Sequence, residues 1–157
     1  MKKLIYIFLA IASFTVSSCA SSQSSTTVSQ GMDITKYHYI VYGSDDIDGA
    51  AELADILLMV QNELSGKLQV VSSSEALSLI DRCEYVITPR INVKTEKWDG
   101  GHTYITISFY DFKTNQLVAV VKSSGIGLSI SQDQKLAFSA IKKELNKVFK
   151  ESLLLDN

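Results

Sequence analysis

A chain of 157 residues, 46% hydrophobic and 20% charged, has room for one domain that buries a core without disulfide staples. The formal net charge is −2, and no run of basic residues supplies the counterion-releasing patch of a nucleic-acid binder, so nucleic acid is excluded as a partner. The group Lys142, Lys143, Lys147 and Lys150 falls at the end of a predicted helix, where cations suit the macrodipole and read as a solvated face.

The first element is a leader. Lys2 and Lys3 form a positive start and Leu4 to Val16 an apolar stretch too short to span a bilayer, the pattern of a secretory signal peptide over residues 1–18. Removing the two lysines leaves the remainder more acidic. At the leader's end, Val16-Ser17-Ser18-Cys19 resembles the lipobox of bacterial lipoproteins. The resemblance implies cleavage before Cys19, diacylation of its thiol by palmitate-like chains and acylation of the new amine. The membrane is then a partner through the lipid anchor, and the protein belongs to the cell envelope. Ala20, rather than Asp, follows the lipid site, which points to the outer membrane. Ser, Thr and Gln dominate from Ala20 to Gln30, so residues 19–33 are expected to be the lipidated Cys19 and a flexible tether, holding the domain roughly 20 Å from the membrane.

A single α+β domain is expected over 34–157. Tyr37 to Tyr42 is rich in aromatic and β-branched residues and reads as a strand closed by Gly43. Ser44-Asp45-Asp46 looks like a helix start, and the spacing of Ile47, Ala50, Ala51, Ala54, Leu57, Leu58 and Leu64 predicts an amphipathic helix to Ser65, closed by Gly66. A short strand, Leu68–Val71, precedes the capping box Ser72-Ser73-Ser74-Glu75 and a second helix to Ile80. Cys83, the one cysteine beyond Cys19, lies between Ile80 and the Tyr85–Ile87 run and reads as a small buried hydrophobe.

A long strand is predicted from Glu84 to about Lys97, interrupted by Pro89, which cannot donate to a ladder and demands an edge position or a bulge. Trp98-Asp99-Gly100-Gly101 is a hairpin turn signal. Thr103 to Phe112 alternates in polarity, and a turn at Lys113–Gln116 leads into Leu117–Ser123. Ser131-Gln132-Asp133 opens a last helix to Phe149. The order β-α-β-α-β-β-β-α predicts a two-layer α+β fold, a mixed sheet dominated by an antiparallel meander, with two or three helices on one face.

That order, the lipobox and one local motif resemble a group of small envelope lipoproteins: the curli-secretion lipoprotein, the penicillin-binding-protein activator lipoproteins and the TolB N-terminal domain. Their penultimate strand commonly ends in Asp-x-x-Thr-Gly, a polar residue and an aliphatic strand. Asp111-Phe112-Lys113-Thr114-Asn115-Gln116-Leu117-Val118 matches with Asn115 at the glycine position, and Asn tolerates a left-handed backbone. The resemblance implies assembly or binding of an envelope protein partner rather than catalysis. No long segment supplies the inserted membrane hairpins of the curli protein, which argues against a pore.

No catalytic residue, metal ligand or cofactor site is read from the residues. His38 and His102 lack metal-ligand spacing. Asp45-Asp46-Ile47-Asp48-Gly49 lacks the closing Glu of a calcium loop. Gly125-Ile126-Gly127 lacks both the third glycine and the βαβ context of a dinucleotide fingerprint, and is expected to be a tight connection. The polar phase of the meander is the candidate surface: Arg90, Asn92, Lys94, Tyr104, Thr106, Ser108 and Tyr110 are predicted to share one sheet face. Arg90, Tyr104 and Tyr110 are the candidate partner-binding residues, because such side chains bury area while keeping a polar end. Three alternatives stand beside this: a merely solvated face, a carbohydrate or small-ligand surface on the tyrosines, and a hydrolase-type enzyme in which His38 or His102 converges with Asp111 or Glu84.

Overall fold

Residues 20–43, 47–48, 53–96 and 101–149 are described by the structure, a computed structural model. The leader, the lipobox with Cys19, and Trp98 to Gly100 of the hairpin turn lie outside the described residues. The elements are β1 (Ser21–Val28), a 3-10 turn (Ile34–Lys36), β2 (Tyr37–Ile40), β3 (Ile47–Asp48), α1 (Ala54–Ser65), β4 (Gln69–Val70), α2 (Ser73–Asp81), β5 (Tyr85–Glu96), β6 (His102–Asp111), β7 (Leu117–Ile126) and α3 (Ile130–Val148).

They form the expected two-layer α+β fold. The sheet runs β1-β7-β6-β5-β2-β4, with β3 also paired to β5. The β5-β6-β7 meander and β1 are antiparallel, while β2 and β3 lie parallel to β5 and β4 parallel to β2. Ile87, Ile91 and Val93 of β5, Ile105, Ile107 and Phe109 of β6 and Val121 of β7 point to one face, where α1 and α3 cover them with Ile56, Val60, Leu64, Ala137, Ile141 and Leu145. Phe109 packs edge-on against Phe149, with centroids 5.6 Å apart. The third helix, α2, sits on the other side of the sheet, at its β2-β5 border, where Ala76 and Leu79 meet Val41, Val71 and Val86.

Three expectations are corrected. Most of the proposed tether is a strand: β1 pairs with β7 over its full length, from Ser21 opposite Ile126 to Val28 opposite Ala119. Its polarity misleads because an edge strand needs a ladder partner more than an apolar face. The outer edge of β7 supplies that ladder, and the β-branched Thr26, Thr27 and Val28 suit it. Its inward residues are held by side-chain chemistry instead. Ser24 and Thr26 donate to the two carboxylate oxygens of Glu144 on α3 at 3.0 and 3.1 Å.

The first helix begins at Ala54, not at Ser44. Ile47–Asp48 pairs with Ile91–Asn92 as β3, because the outer edge of β5 is open there and offers backbone partners. Cys83 is exposed rather than buried. It occupies a left-handed position, φ 65°, just after α2, where its N–H donates to the Ile80 carbonyl and the Glu84 N–H to that of Leu79. This is the Schellman arrangement, which favours glycine. Cys83→Gly is therefore expected to raise stability by about 0.5–1 kcal/mol, read as a higher urea midpoint.

Pro89 lies inside the sheet without cost to the ladder. The Ile87 carbonyl accepts from Val41 N on the β2 side at 3.0 Å, and alternate residues of a strand address the same neighbour. The absent N–H of Pro89 therefore faces the gap between the end of β2 at Ile40, paired with Ile87, and the start of β3 at Ile47, paired with Ile91. The proline marks a local stretch of edge, as its chemistry requires.

Gly125 sets the approach of α3. A Cβ there would stand 2.2 Å from the Asp133 carbonyl oxygen and 2.5 Å from the Ala137 nitrogen. Gly125-Ile126-Gly127 is thus a close-packing connection into α3, whose Ser129 caps the helix by accepting from Gln132 N.

Candidate docking surface on the meander

The register places the predicted residues together. Across β5 and β6, Thr88 lies opposite Tyr110, Arg90 opposite Ser108, Asn92 opposite Thr106 and Lys94 opposite Tyr104. Directly opposed residues share a face. Since Ile91, Ile105, Ile107 and Phe109 face the helices, this polar set faces away from them. The next strand adds Lys122 opposite Thr106 and Ser124 opposite Tyr104. The edge strand β1 then adds Gln23, Ser25 and Thr27, opposite Ser124, Lys122 and Val120. Those three residues were missed in the sequence because β1 itself was read as a tether. Only the β-branched run Thr26-Thr27-Val28 hints at a strand there.

Two contacts order the aromatic side chains. The Arg90 guanidinium lies over the Tyr110 ring, 4.6 Å from its centroid, a cation–π contact across the diagonal of adjacent strands that holds both groups upright. His102 stacks on Tyr104, two residues along the same face, with centroids 6.0 Å apart and planes 10° from parallel. Tyr104 is 38% exposed.

On the strands of this face cations outnumber carboxylates. Arg90, Lys94 and Lys122 are its cations; its described strand carboxylates are Asp48 of β3, opposite Asn92, and Glu96, at the strand end and bound by Lys94 at 2.9 Å. That hydrogen bond raises the Lys94 pKa. Arg90 and Lys122 make no ion pair with described residues, so the face presents two uncompensated cations among hydroxyls and tyrosines.

The residues weighed for hydrolase chemistry do not converge. His102 and Asp111 are the two ends of β6, about 30 Å apart by strand rise. Asp111 instead builds the Lys113–Gln116 turn. Its Oδ1 accepts from Thr114 N at 2.7 Å and from the Thr114 hydroxyl at 2.8 Å, while Oδ2 accepts from the buried Tyr37 hydroxyl at 2.9 Å. Desolvation, then the Asp111 bond, pushes the Tyr37 pKa up. Asn115 adopts φ 54°, so the Asp-x-x-Thr-Asn motif is a structural turn. Asp133 is fully buried in the first turn of α3, between Gly101 and Gly127, without a hydrogen-bond partner among the described residues. No group of three or more His, Cys, Asp or Glu side chains able to hold a metal ion occurs among the described residues, and no described helix is long and apolar enough to cross a membrane.

Glu144 ties the edge of this surface to the core. Its pKa is lowered, chiefly by the Lys147 ammonium donating at 2.6 Å and further by the Ser24 and Thr26 hydroxyls, against the opposing effect of burial. A depressed carboxylate contributes stability above its ordinary value near 4.5 and loses it as pH falls through the lowered value. Glu144→Gln is therefore expected to be less stable than the parent at pH 7, with the gap narrowing as the pH falls below 4.5, as read from urea unfolding over that range.

No protein-family model matches the chain, and no curated protein matches it in sequence. Solved structures similar to it include PelC from Paraburkholderia phytofirmans, a dodecamer, at 15% identity, covering 82% of this chain and 98% of that one with a TM-score of 0.49. A minor lipoprotein from Acinetobacter baumannii is similar at 12% identity, covering 75% of this chain and 94% of that one with a TM-score of 0.35.

Proposed function

We propose that this chain is a lipid-anchored envelope protein, acylated at Cys19 and held at the outer membrane, that works without catalysis by docking an acidic surface of a protein partner on its meander face. The observation that carries this reading is the part of the sheet face beyond α2, on which Arg90, Lys94 and Lys122 stand among Tyr104 and Tyr110 while the strands bring two carboxylates, Glu96, engaged by Lys94, and Asp48, opposite Asn92. Tyr and Arg supply area and hydrogen bonds at low ordering cost, and the cations steer an acidic partner. The lipobox residues Val16 to Cys19 support the anchor.

The test is recovery of the partner from detergent-solubilised membranes on the tagged full chain, at low and high salt, beside an Arg90→Glu, Lys122→Glu variant. Reproducible recovery of one envelope protein, lost in the variant and weakened by salt, is the expected result. Equal recovery by parent and variant would overturn the assignment of the face.

A further inference from the structure

The strand that replaces the tether brings Ser21, two residues after Cys19 in the chain, against one end of the sheet, opposite Ile126. We infer that this end of the domain lies on the lipid surface itself, with Leu128 and Ile130 seated in the boundary between headgroups and acyl chains. The inference rests on acylation at Cys19, as proposed above. Ser21 is the first residue of β1, so two peptide units separate it from Cys19, a reach of about 7 Å at full extension. No leash remains to let the domain float free. Ser21 pairs with Ile126, and the chain then passes through Gly127 and Leu128 into α3 at Ile130. By strand spacing, Leu128 stands within about 10 Å of Ser21. The anchor and this loop therefore meet the membrane together.

What the loop presents there is apolar. Leu128 is 78% exposed, more than any other large hydrophobic residue described, and Ile130 is 42% exposed. Neither belongs to a core cluster. Leu128 is nevertheless held in place, since its N–H donates to the Gln132 side chain at 2.9 Å and Ser129 caps the helix behind it. A fixed, exposed aliphatic pair beside a lipid-bearing residue has the chemistry of an interfacial contact, in which a second apolar element adds to acyl chains already inserted. The opposite end of the sheet, with the Asp111–Leu117 turn, carries Lys113 and would stand farthest from the bilayer. The meander face then rises roughly normal to the membrane and opens sideways to a neighbouring protein.

The experiment uses the full chain produced in bacterial cells and reconstituted with its acyl groups into phosphatidylethanolamine and phosphatidylglycerol vesicles. In a Cys83→Gly background, an environment-sensitive fluorophore is placed at Leu128→Cys or, separately, at Lys113→Cys. Both positions are exposed, so neither substitution disturbs packing. Mass spectrometry of the N-terminal peptide reports acylation. The expected result is an acylated Cys19, with the probe at 128 shifted to the blue, quenched by nitroxide-bearing lipids and lost to aqueous iodide, while the probe at 113 remains open to iodide. An acylated Cys19 with both probes equally open to iodide overturns this inference and leaves the anchor intact. Shielding at 128 without quenching by nitroxide lipids means that protein, such as a second copy, covers the loop, and also overturns it. An unacylated Cys19 overturns the anchor and the inference together.

Discussion

Gly125→Ala is expected to lose about 3 kcal/mol of stability, or the folded state altogether, because the added methyl meets backbone that cannot rotate away. The two atoms in its path, the Asp133 carbonyl at 2.2 Å and the Ala137 nitrogen at 2.5 Å, both belong to α3. The helix must therefore move off the sheet. Doing so breaks the bond from the Ser123 hydroxyl to the Ala137 carbonyl, now 2.8 Å, and opens the contacts of Ala137, Ile141 and Leu145 with the meander. Overpacking of a close-packed core costs about 1–3 kcal/mol and more where backbone is forced. Domains of this kind have only about 5–15 kcal/mol in hand. Gly66→Ala is the control: its nearest neighbours would be 3.5 and 3.6 Å away, and its φ is −78°, so a neutral or slightly stabilising effect is expected. Urea midpoints of the two variants, measured against the parent, check both statements.

Asp111→Ala is expected to cost a similar amount, about 3 kcal/mol, through polar rather than steric loss. One carboxylate organises three donors: the Thr114 N–H, the Thr114 hydroxyl and the Tyr37 hydroxyl. Hydrogen bonds to a charged group contribute about 1.5–3 kcal/mol each, and Tyr37, 3% exposed, would be left with a buried hydroxyl and no acceptor. Asp111→Asn keeps one acceptor oxygen in the turn and lets the Tyr37 oxygen accept from the new amide, so a loss of about 1 kcal/mol is expected. Thermal unfolding of the pair, with the alanine variant well below the asparagine variant, is the outcome that supports a structural motif. A parent-like alanine variant would mean the turn needs no carboxylate.

The parts of the fold that were legible in the sequence are those whose own side chains specify them. The β5-β6-β7 meander shows in strict alternation, since Ile105, Ile107 and Phe109 are buried while Tyr104, Thr106 and Tyr110 are more open. The same alternation places Arg90, Tyr104 and Tyr110 on one face, so the candidate surface could be drawn from phase alone. The capping box at Ser72–Glu75 likewise marks α2, with Ser72 accepting from Glu75 N at 3.2 Å.

The misread parts depend on partners distant in the chain. β1 is a strand because β7 offers an edge and Glu144, 118 and 120 residues away, accepts from Thr26 and Ser24. Within Ser21–Val28 only the β-branched Thr26, Thr27 and Val28 hint at it. Ile47–Asp48 joins a ladder opened by Pro89 rather than continuing the helical pattern that follows it. Cys83 serves the backbone of a helix end, a role its side chain does not encode. The consequence for the surface is that its outer rank, Gln23, Ser25 and Thr27, and the pairing of Ser21 with Ile126, just before Leu128, became visible only in three dimensions.

The face proposed to meet a protein partner is the meander face, not the helical face. In-cell photo-crosslinking of the full chain tests it most directly, with the crosslinker at Tyr104, at Tyr110 and, as the opposite-face control, at Lys142 on α3, each with Cys19 intact and as Cys19→Ala. One reproducible envelope-protein adduct from positions 104 and 110, requiring Cys19 and absent from position 142, is expected. Adducts from position 142 alone, or none from either tyrosine, would contradict it.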